Sequence, residues 1–109
     1  MEDQAFEAIA AKLLEEWAEI IEDAADVDVD CDGSVLSVEL DDGRVFILNR
    51  HRPLKQMWLS SPVSGASHYS WDNDAQSWQG TRDQGRLDEL FSGDLSTAIG
   101  TKITLTLPA

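Results

Sequence analysis

Between residues 24 and 27 the apolar residues change their period, and this switch constrains the fold more than any other feature. Upstream, Phe6, Ile9, Ala10, Leu13, Trp17, Ile20, Ile21 and Ala24 recur at steps of three and four. That spacing predicts an amphipathic helix over residues 4–24 with one buried stripe. Downstream, Val27, Val29 and Cys31 alternate with Asp28, Asp30 and Asp32. That is the period of a strand with one face inward. A helix that passes so directly into a strand has to pack its stripe on the sheet that the strand joins. Cys31 lies on the apolar side and reads as a small core residue rather than a reactive thiol. As the single cysteine, it excludes an internal disulfide and points to a reducing compartment.

The rest of the chain supplies that sheet. Asp32-Gly33 and Asp42-Gly43 are hairpin signals. They bracket one strand carrying Val35, Leu36, Val38 and Leu40, and a third strand follows over 45–49. Pro53 interrupts pairing. Further strands are predicted over 55–60, 67–71 and 77–79, with turns at 62–65 and at Asp72-Asn73-Asp74. On the strand 55–60, Met57 and Leu59 face away from Gln56, Trp58 and Ser60. Tyr69 and Trp71 read as core; Trp78 fits either side. Helical spacing returns over 86–99 with Leu87, Leu90, Phe91, Leu95 and Ile99, and Gly100 serves as the C-cap. The alternating tail Ile103, Leu105 and Leu107 is expected to pack back on the domain. The order predicts an α+β fold of one domain over 1–109. It is a two-layer sandwich with both helices on one face of a roughly six-stranded antiparallel sheet.

Charge is distributed unevenly. Fifteen of the 21 acids, and only Lys12 of the eight basic residues, lie within 1–42. Glu15, Glu19, Glu22, Asp23 and Asp26 share a helix face at i, i+4, i+7, i+8 and i+11, and Asp28 and Asp30 extend the series onto the strand. Like charges at i,i+4 oppose each other by a few tenths of a kcal/mol per pair. The pairs 15–19, 19–23 and 22–26 therefore cost about 1 kcal/mol together, if the helix reaches Asp26. Acids at a helix C-terminus also oppose its dipole. A face that is merely solvated mixes lysine and arginine among its acids. This one does not, so it reads as a field directed at cations or at a basic partner. Nucleic acid and anionic membrane are excluded as partners by repulsion. No apolar run approaches the roughly 20 residues of a membrane span. The Met-Glu-Asp start has neither a secretory signal nor the character of an organellar transit peptide.

Two constellations compete for the acids. Asp28-x-Asp30-x-Asp32-Gly33-x5-Glu39 matches the calcium loop of an EF-hand. Against it, Leu36 fills the ninth position, no helix follows, and the alternation suits an extended strand. Carboxylates on an open helix and strand face instead suit hard cations such as Fe²⁺, Fe³⁺, Mn²⁺, Ca²⁺ and Mg²⁺, held weakly and exchangeably. Catalytic patterns are weak. His51, His68 and one cysteine have no zinc-type spacing. There is no glycine-rich phosphate loop, and Ser60-Ser61 lacks a nucleophile elbow. Both histidines read as surface strand or loop residues. Trp58 shares a polar strand face, either packed beneath a neighbour or exposed as a binding anchor.

The run Asn49-Arg50-His51-Arg52-Pro53-Leu54-Lys55-Gln56-Met57-Trp58-Leu59-Ser60-Ser61-Pro62-Val63-Ser64-Gly65, followed by His68-Tyr69-Ser70-Trp71, resembles the central signature of the frataxin family. The bacterial branch of that family is called CyaY. The N-terminal helix, the acidic ridge and the closing Leu87-Asp88-Glu89-Leu90 helix agree in order, so the resemblance covers nearly the whole chain. It implies a small α/β sandwich that binds Fe²⁺ and Fe³⁺ weakly at several acidic sites. It also implies a role in iron–sulfur cluster assembly, through docking on the cysteine desulfurase and scaffold protein.

On this resemblance the metal ridge falls on Glu15, Glu19, Glu22, Asp23, Asp26, Asp28 and Asp30. The partner-binding sheet surface falls on Asn49, Gln56, Trp58 and His68. Many relatives carry a basic residue where this chain has His68, so contacts there are expected to depend on pH, as imidazole contacts do. The resemblance further implies a non-enzymatic protein, with the ferroxidase-like activity suggested for some relatives left open. It implies a monomer, with iron-dependent oligomers as the alternative. A bacterial cytoplasmic protein is expected, the mitochondrial matrix being the alternative. The competing functions are the EF-hand-like calcium module over 28–39 and an acidic protein-binding adaptor in which metal is incidental.

Overall fold

The helix forms where the apolar stripe requires it. In the computed structural model, which describes residues 1–108, helix α1 spans Asp3–Ala24. It buries Phe6, Ala10, Leu13, Leu14, Trp17, Ala18 and Ile21, with Ile9 and Ile20 half-buried at the margins of the stripe. Leu14 and Ala18 thus join the buried face. Ala24, expected in it, is exposed because the helix stops there: Ala25 is already extended at φ −149° and ψ 155°. Asp26 therefore lies beyond the helix, and the expected 22–26 repulsion is not an i,i+4 helix pair. The pairs 15–19 and 19–23 remain, at a cost of roughly 0.4–1 kcal/mol. No basic residue offsets the acids in the last turn.

Six strands follow: β1 (Asp28–Cys31), β2 (Val35–Glu39), β3 (Val45–His51), β4 (Gln56–Ser61), β5 (Gly65–Asp72) and β6 (Ser77–Gly80). They form one sheet in sequence order, and every neighbouring pair is antiparallel. Helix α2 (Leu87–Ile99) closes the layer and ends on Gly100, which adopts the left-handed conformation at φ 83°. This is the expected sandwich. The hairpin turns have a shared mechanism. Asp32 Oδ1 accepts the Ser34 and Val35 N–H groups at 2.9 and 3.0 Å. Asp42 Oδ1 accepts the Arg44 N–H at 3.0 Å, and its Oδ2 accepts from Arg44 Nε at 2.7 Å. These backbone donors hold both carboxyls below the usual aspartate value.

The core lies between the layers. Leu36, Val38, Phe46, Leu48, Met57, Leu59, Tyr69 and Trp78 face α1, Leu87, Phe91 and Leu95 of α2, and Ile103 and Leu105 of the tail. Trp17 meets Phe91 edge-on with centroids 5.8 Å apart, and Phe6 meets Trp78 at 6.0 Å. Trp78 is fully buried. Trp71 is only half-buried against it, at 5.3 Å. The tail does pack back. Ser96 Oγ accepts the Ile103 N–H at 2.9 Å, and Ser92 Oγ accepts the Leu105 N–H at 2.8 Å. The Thr106 carbonyl accepts the Trp17 indole N–H at 2.8 Å. Ser61 is buried and ties the 61–65 turn to α2. It donates to Asp94 at 2.7 Å and accepts the Val63 and Ser64 N–H groups at 3.0 and 3.2 Å.

Two predictions follow from these contacts. Trp17→Ala removes a fully buried indole and its bond to the tail, and is expected to destabilise the fold by about 3–5 kcal/mol in chemical denaturation. A cost under about 1 kcal/mol would contradict the packing described. For Asp32 the folded carboxyl titrates below its unfolded value, so its contribution is present above that value and is lost as pH falls through the folded one. An NMR acid titration should therefore shift the Ser34 and Val35 amides with a midpoint below 3.8. A midpoint at or above 3.8 would show that these N–H bonds do not hold the carboxylate.

Candidate metal ridge and docking face

Burial of the α1 stripe decides which way its acids face. At 100° per residue, Glu15, Glu19, Glu22 and Asp23 cluster roughly opposite Trp17 on the helix circumference. With Trp17 fully buried, all four are exposed. Asp26 is exposed just past the helix end. In β1, Val29 and Cys31 pack against the core, so Asp28 and Asp30 project from the outer sheet face and are exposed. Among the described residues, no ion pair holds any of these seven carboxylates.

The structure also brings in acids that the sequence spacing did not assign to the ridge. Glu39 stands directly opposite Asp28 in the β1–β2 ladder, a cross-strand like-charge pair. Asp41 and Asp42 share a groove with Asp26 beside Ala98 and Ile99. Only strand register and tertiary packing could reveal these neighbours. Among the described residues, no three His, Cys, Asp or Glu side chains converge closely enough to hold one ion. The ridge is therefore an open surface rather than a formed coordination shell.

The calcium-loop alternative fails on this geometry. Residues 28–39 form the β1–β2 hairpin rather than a loop closing around an ion. Asp28 pairs with Glu39, Asp30 faces Ser37, and Asp32 is engaged in capping the turn.

On the same outer sheet face, Asn49 of β3, Trp58 of β4 and His68 of β5 lie in one register row. Gln56 joins them by accepting the Trp58 indole N–H through Oε1 at 2.9 Å. The structure thus gathers all four expected docking residues. It decides between a covered and an exposed Trp58. The ring is sandwiched between His51, at 3.8 Å and 3° between planes, and His68, at 4.1 Å and 8°. Both faces are covered, so only the rim of the indole meets solvent.

The sequence predicts this strand, β3, over 45–49, and His51, expected on a surface strand or loop, proves to be a strand residue. The ladder continues through Asn49, Arg50 and His51 opposite Trp58, Met57 and Gln56. Its two-residue spacing from Asn49 was the available signal. Val45 and Ile47, 37% and 39% exposed, carry the face from Trp58 toward the acidic edge, where Ile47 is opposite Ser37 and Ser37 opposite Asp30.

A family model described as a Frataxin-like domain matches residues 1–101. Mitochondrial frataxin of Arabidopsis thaliana is 32% identical over 97% of this chain, which spans 60% of that relative's length. The iron-sulfur cluster assembly protein CyaY of Cupriavidus metallidurans is 33% identical over 96% of each chain. Among solved structures, frataxin from Psychromonas ingrahamii superposes with a TM-score of 0.86 at 30% identity, covering 97% of this chain and 99% of that one. Trimeric frataxin of Saccharomyces cerevisiae, complexed with ferrous iron, gives 0.61 at 28% identity, covering 82% and 77%.

The half-buried Trp58 stack gives a graded expectation. Trp58→Ala removes two aromatic contacts, each worth about 0.5–1.5 kcal/mol beyond the area they bury. It should lower stability by about 1–3 kcal/mol in denaturant melts, below the loss for Trp17→Ala. A loss as large as that for Trp17 would place Trp58 in the core.

Proposed function

The chain belongs to the frataxin family, and on that premise we propose that it is an iron-holding regulator of iron–sulfur cluster assembly. One observation carries this reading: seven exposed carboxylates without an ion pair among the described residues form a ridge from α1 onto β1. Carboxylate oxygens are hard donors suited to Fe²⁺ and Fe³⁺. Spread over an open surface, Glu15, Glu19, Glu22, Asp23, Asp26, Asp28 and Asp30 hold iron weakly, at several sites, and release it readily. Iron here is cargo. The protein acts as a holder and regulator rather than an enzyme.

The same reading assigns docking on a cysteine desulfurase and its scaffold protein to the outer sheet face, through Asn49, Gln56, Trp58 and His68. The ridge supplies charge complementary to a basic partner surface, which mainly raises association rate and specificity. The free protein is monomeric, with iron-dependent assembly the alternative that the trimeric yeast relative supports. Its compartment is the bacterial cytoplasm. Among the described residues, no helix is long and apolar enough to cross a membrane. Both CyaY proteins and mitochondrial frataxins are relatives. The adaptor reading remains as the alternative in which docking matters and metal does not.

The experiment is the triple variant Glu19→Gln, Glu22→Gln, Asp23→Asn. Fe²⁺ titration followed by NMR should show shifts along 15–30 in the wild type and their loss in the variant, with weaker binding to the desulfurase. Relief of like-charge repulsion should leave the variant's melting temperature equal to or above the wild type's at low salt. Loss of docking by the variant, in a protein whose wild type never responds to iron, would replace this reading with the adaptor.

A further inference from the structure

Strand β5 outruns one of its neighbours. Its pairing with β4 extends to Gly65, whereas its pairing with β6 begins only at Tyr69, opposite Gly80. One more ladder bond follows, from the Thr81 N–H to the His68 carbonyl at 3.0 Å. The chain then leaves the sheet because Gln84 folds back into the turn. Its Nε2 donates to the same His68 carbonyl at 3.0 Å, and its Oε1 accepts the Arg82 N–H at 2.8 Å. The Gly80 N–H donates to the Gly85 carbonyl at 2.7 Å. A Cβ at Gly80 would overlap the Gln84 side chain as it is placed here, so a larger residue would displace Gln84 from the turn.

Antiparallel alternation fixes where the next groups of β5 point. His68 bonds toward β6, so Ala66, two residues away, turns its N–H and carbonyl to the same side. On the other side, β4 is served by Ser67 and Tyr69. Ala66 is exposed, and among the described residues no strand pairs with it beyond β5. An unpaired edge of this kind is a template for another strand.

Beside this edge lies a groove of about 470 Å³, lined by Ser64, Ser67, His68, Thr81, Arg82 and Gln84 together with Ala66 and Leu90. No acid lines it directly; Asp94 stands at its margin, accepting the Ser64 hydroxyl, and Asp83 follows Arg82. Among the described residues, the Arg82 guanidinium has no ion-pair partner. The geometry points to a second docking site, separate from the iron ridge: the Ala66 edge accepts an extended acidic segment of a partner protein as an added strand. The Ala66 N–H and carbonyl make the main-chain pair, Arg82 takes a carboxylate, and the Thr81 hydroxyl solvates the segment's polar side; the Ser64 and Ser67 hydroxyls are already engaged, by Asp94 and by Tyr69. Main-chain bonds give such a site its affinity, and the side chains around it give it selectivity.

The test is an NMR titration of the full chain with a blocked pentapeptide alternating valine and glutamate, and with its lysine counterpart. Expected are amide shifts confined to residues 64–68 and 81–84, with the glutamate peptide bound at least fivefold more tightly. Ala66→Pro removes the edge N–H without removing a bond to β4 and should weaken binding at least fivefold. Ala66→Val keeps the N–H and should stay within twofold of wild type. Arg82→Glu should reverse the preference between the two peptides. Should Ala66→Pro not fold, as judged by its melting curve, the Arg82→Glu reversal decides. Absence of shifts at millimolar peptide, equal binding of both peptides, or binding that survives Ala66→Pro in a folded protein would overturn the proposal. No iron enters this test, so its result stands apart from that of the ridge.

Discussion

The burial of Trp17 is the constraint on which the other arrangements depend. Its ring meets Phe91 of α2, and its N–H reaches the Thr106 carbonyl at the far end of the chain. One side chain thus ties the first helix to the second and to the tail, over the buried face of the sheet. That fixes the rotation of α1. With Trp17 inward, Glu15, Glu19, Glu22 and Asp23 have no direction available but outward. The fold and the acidic ridge are therefore two results of one packing decision. The apolar burial that orients the helix outweighs the small cost of setting like charges beside one another.

The sheet divides its labour between its two faces. The inner face is apolar and immobilised against two helices. The outer face remains open and carries Asp28, Asp30, Val45, Ile47, Asn49, Gln56, Trp58 and His68. A meander in sequence order makes this economical, because each signature residue is placed by ladder register rather than by loop conformation. The stack of His51, Trp58 and His68 draws one residue from each of three adjacent strands. It holds the indole rigid with its N–H engaged by Gln56, so the outer face presents a preformed rim rather than a mobile side chain.

Much of the fold was legible in the sequence because its signals are local. The helical stripe, the aspartate–valine alternation, the two Asp-Gly turns and the Gly100 cap each report a backbone state through neighbours a few residues away. The misses share one cause. Leu14 and Ala18 are buried because the sheet and α2 cover more of the α1 circumference than a narrow stripe implies. Strand β3 extends to His51 because β4 pairs with it, although its last three residues are polar. The calcium-loop pattern matched residue types but not the ladder that sets Glu39 against Asp28.

By itself, the sequence determined the element order, the inward side of α1 and of most strands, the acidic character of residues 15–32 and the family signature at 49–71. These are properties of hydrophobic period, turn chemistry and charge spacing, which act within a few residues. Only the tertiary structure decided that Glu39, Asp41 and Asp42 neighbour the ridge, that two imidazoles enclose Trp58, and that β5 is left with an open edge at Ala66. Each of these depends on register between strands or on packing between layers. Such pairings bring together residues distant in the chain, and no local pattern encodes them.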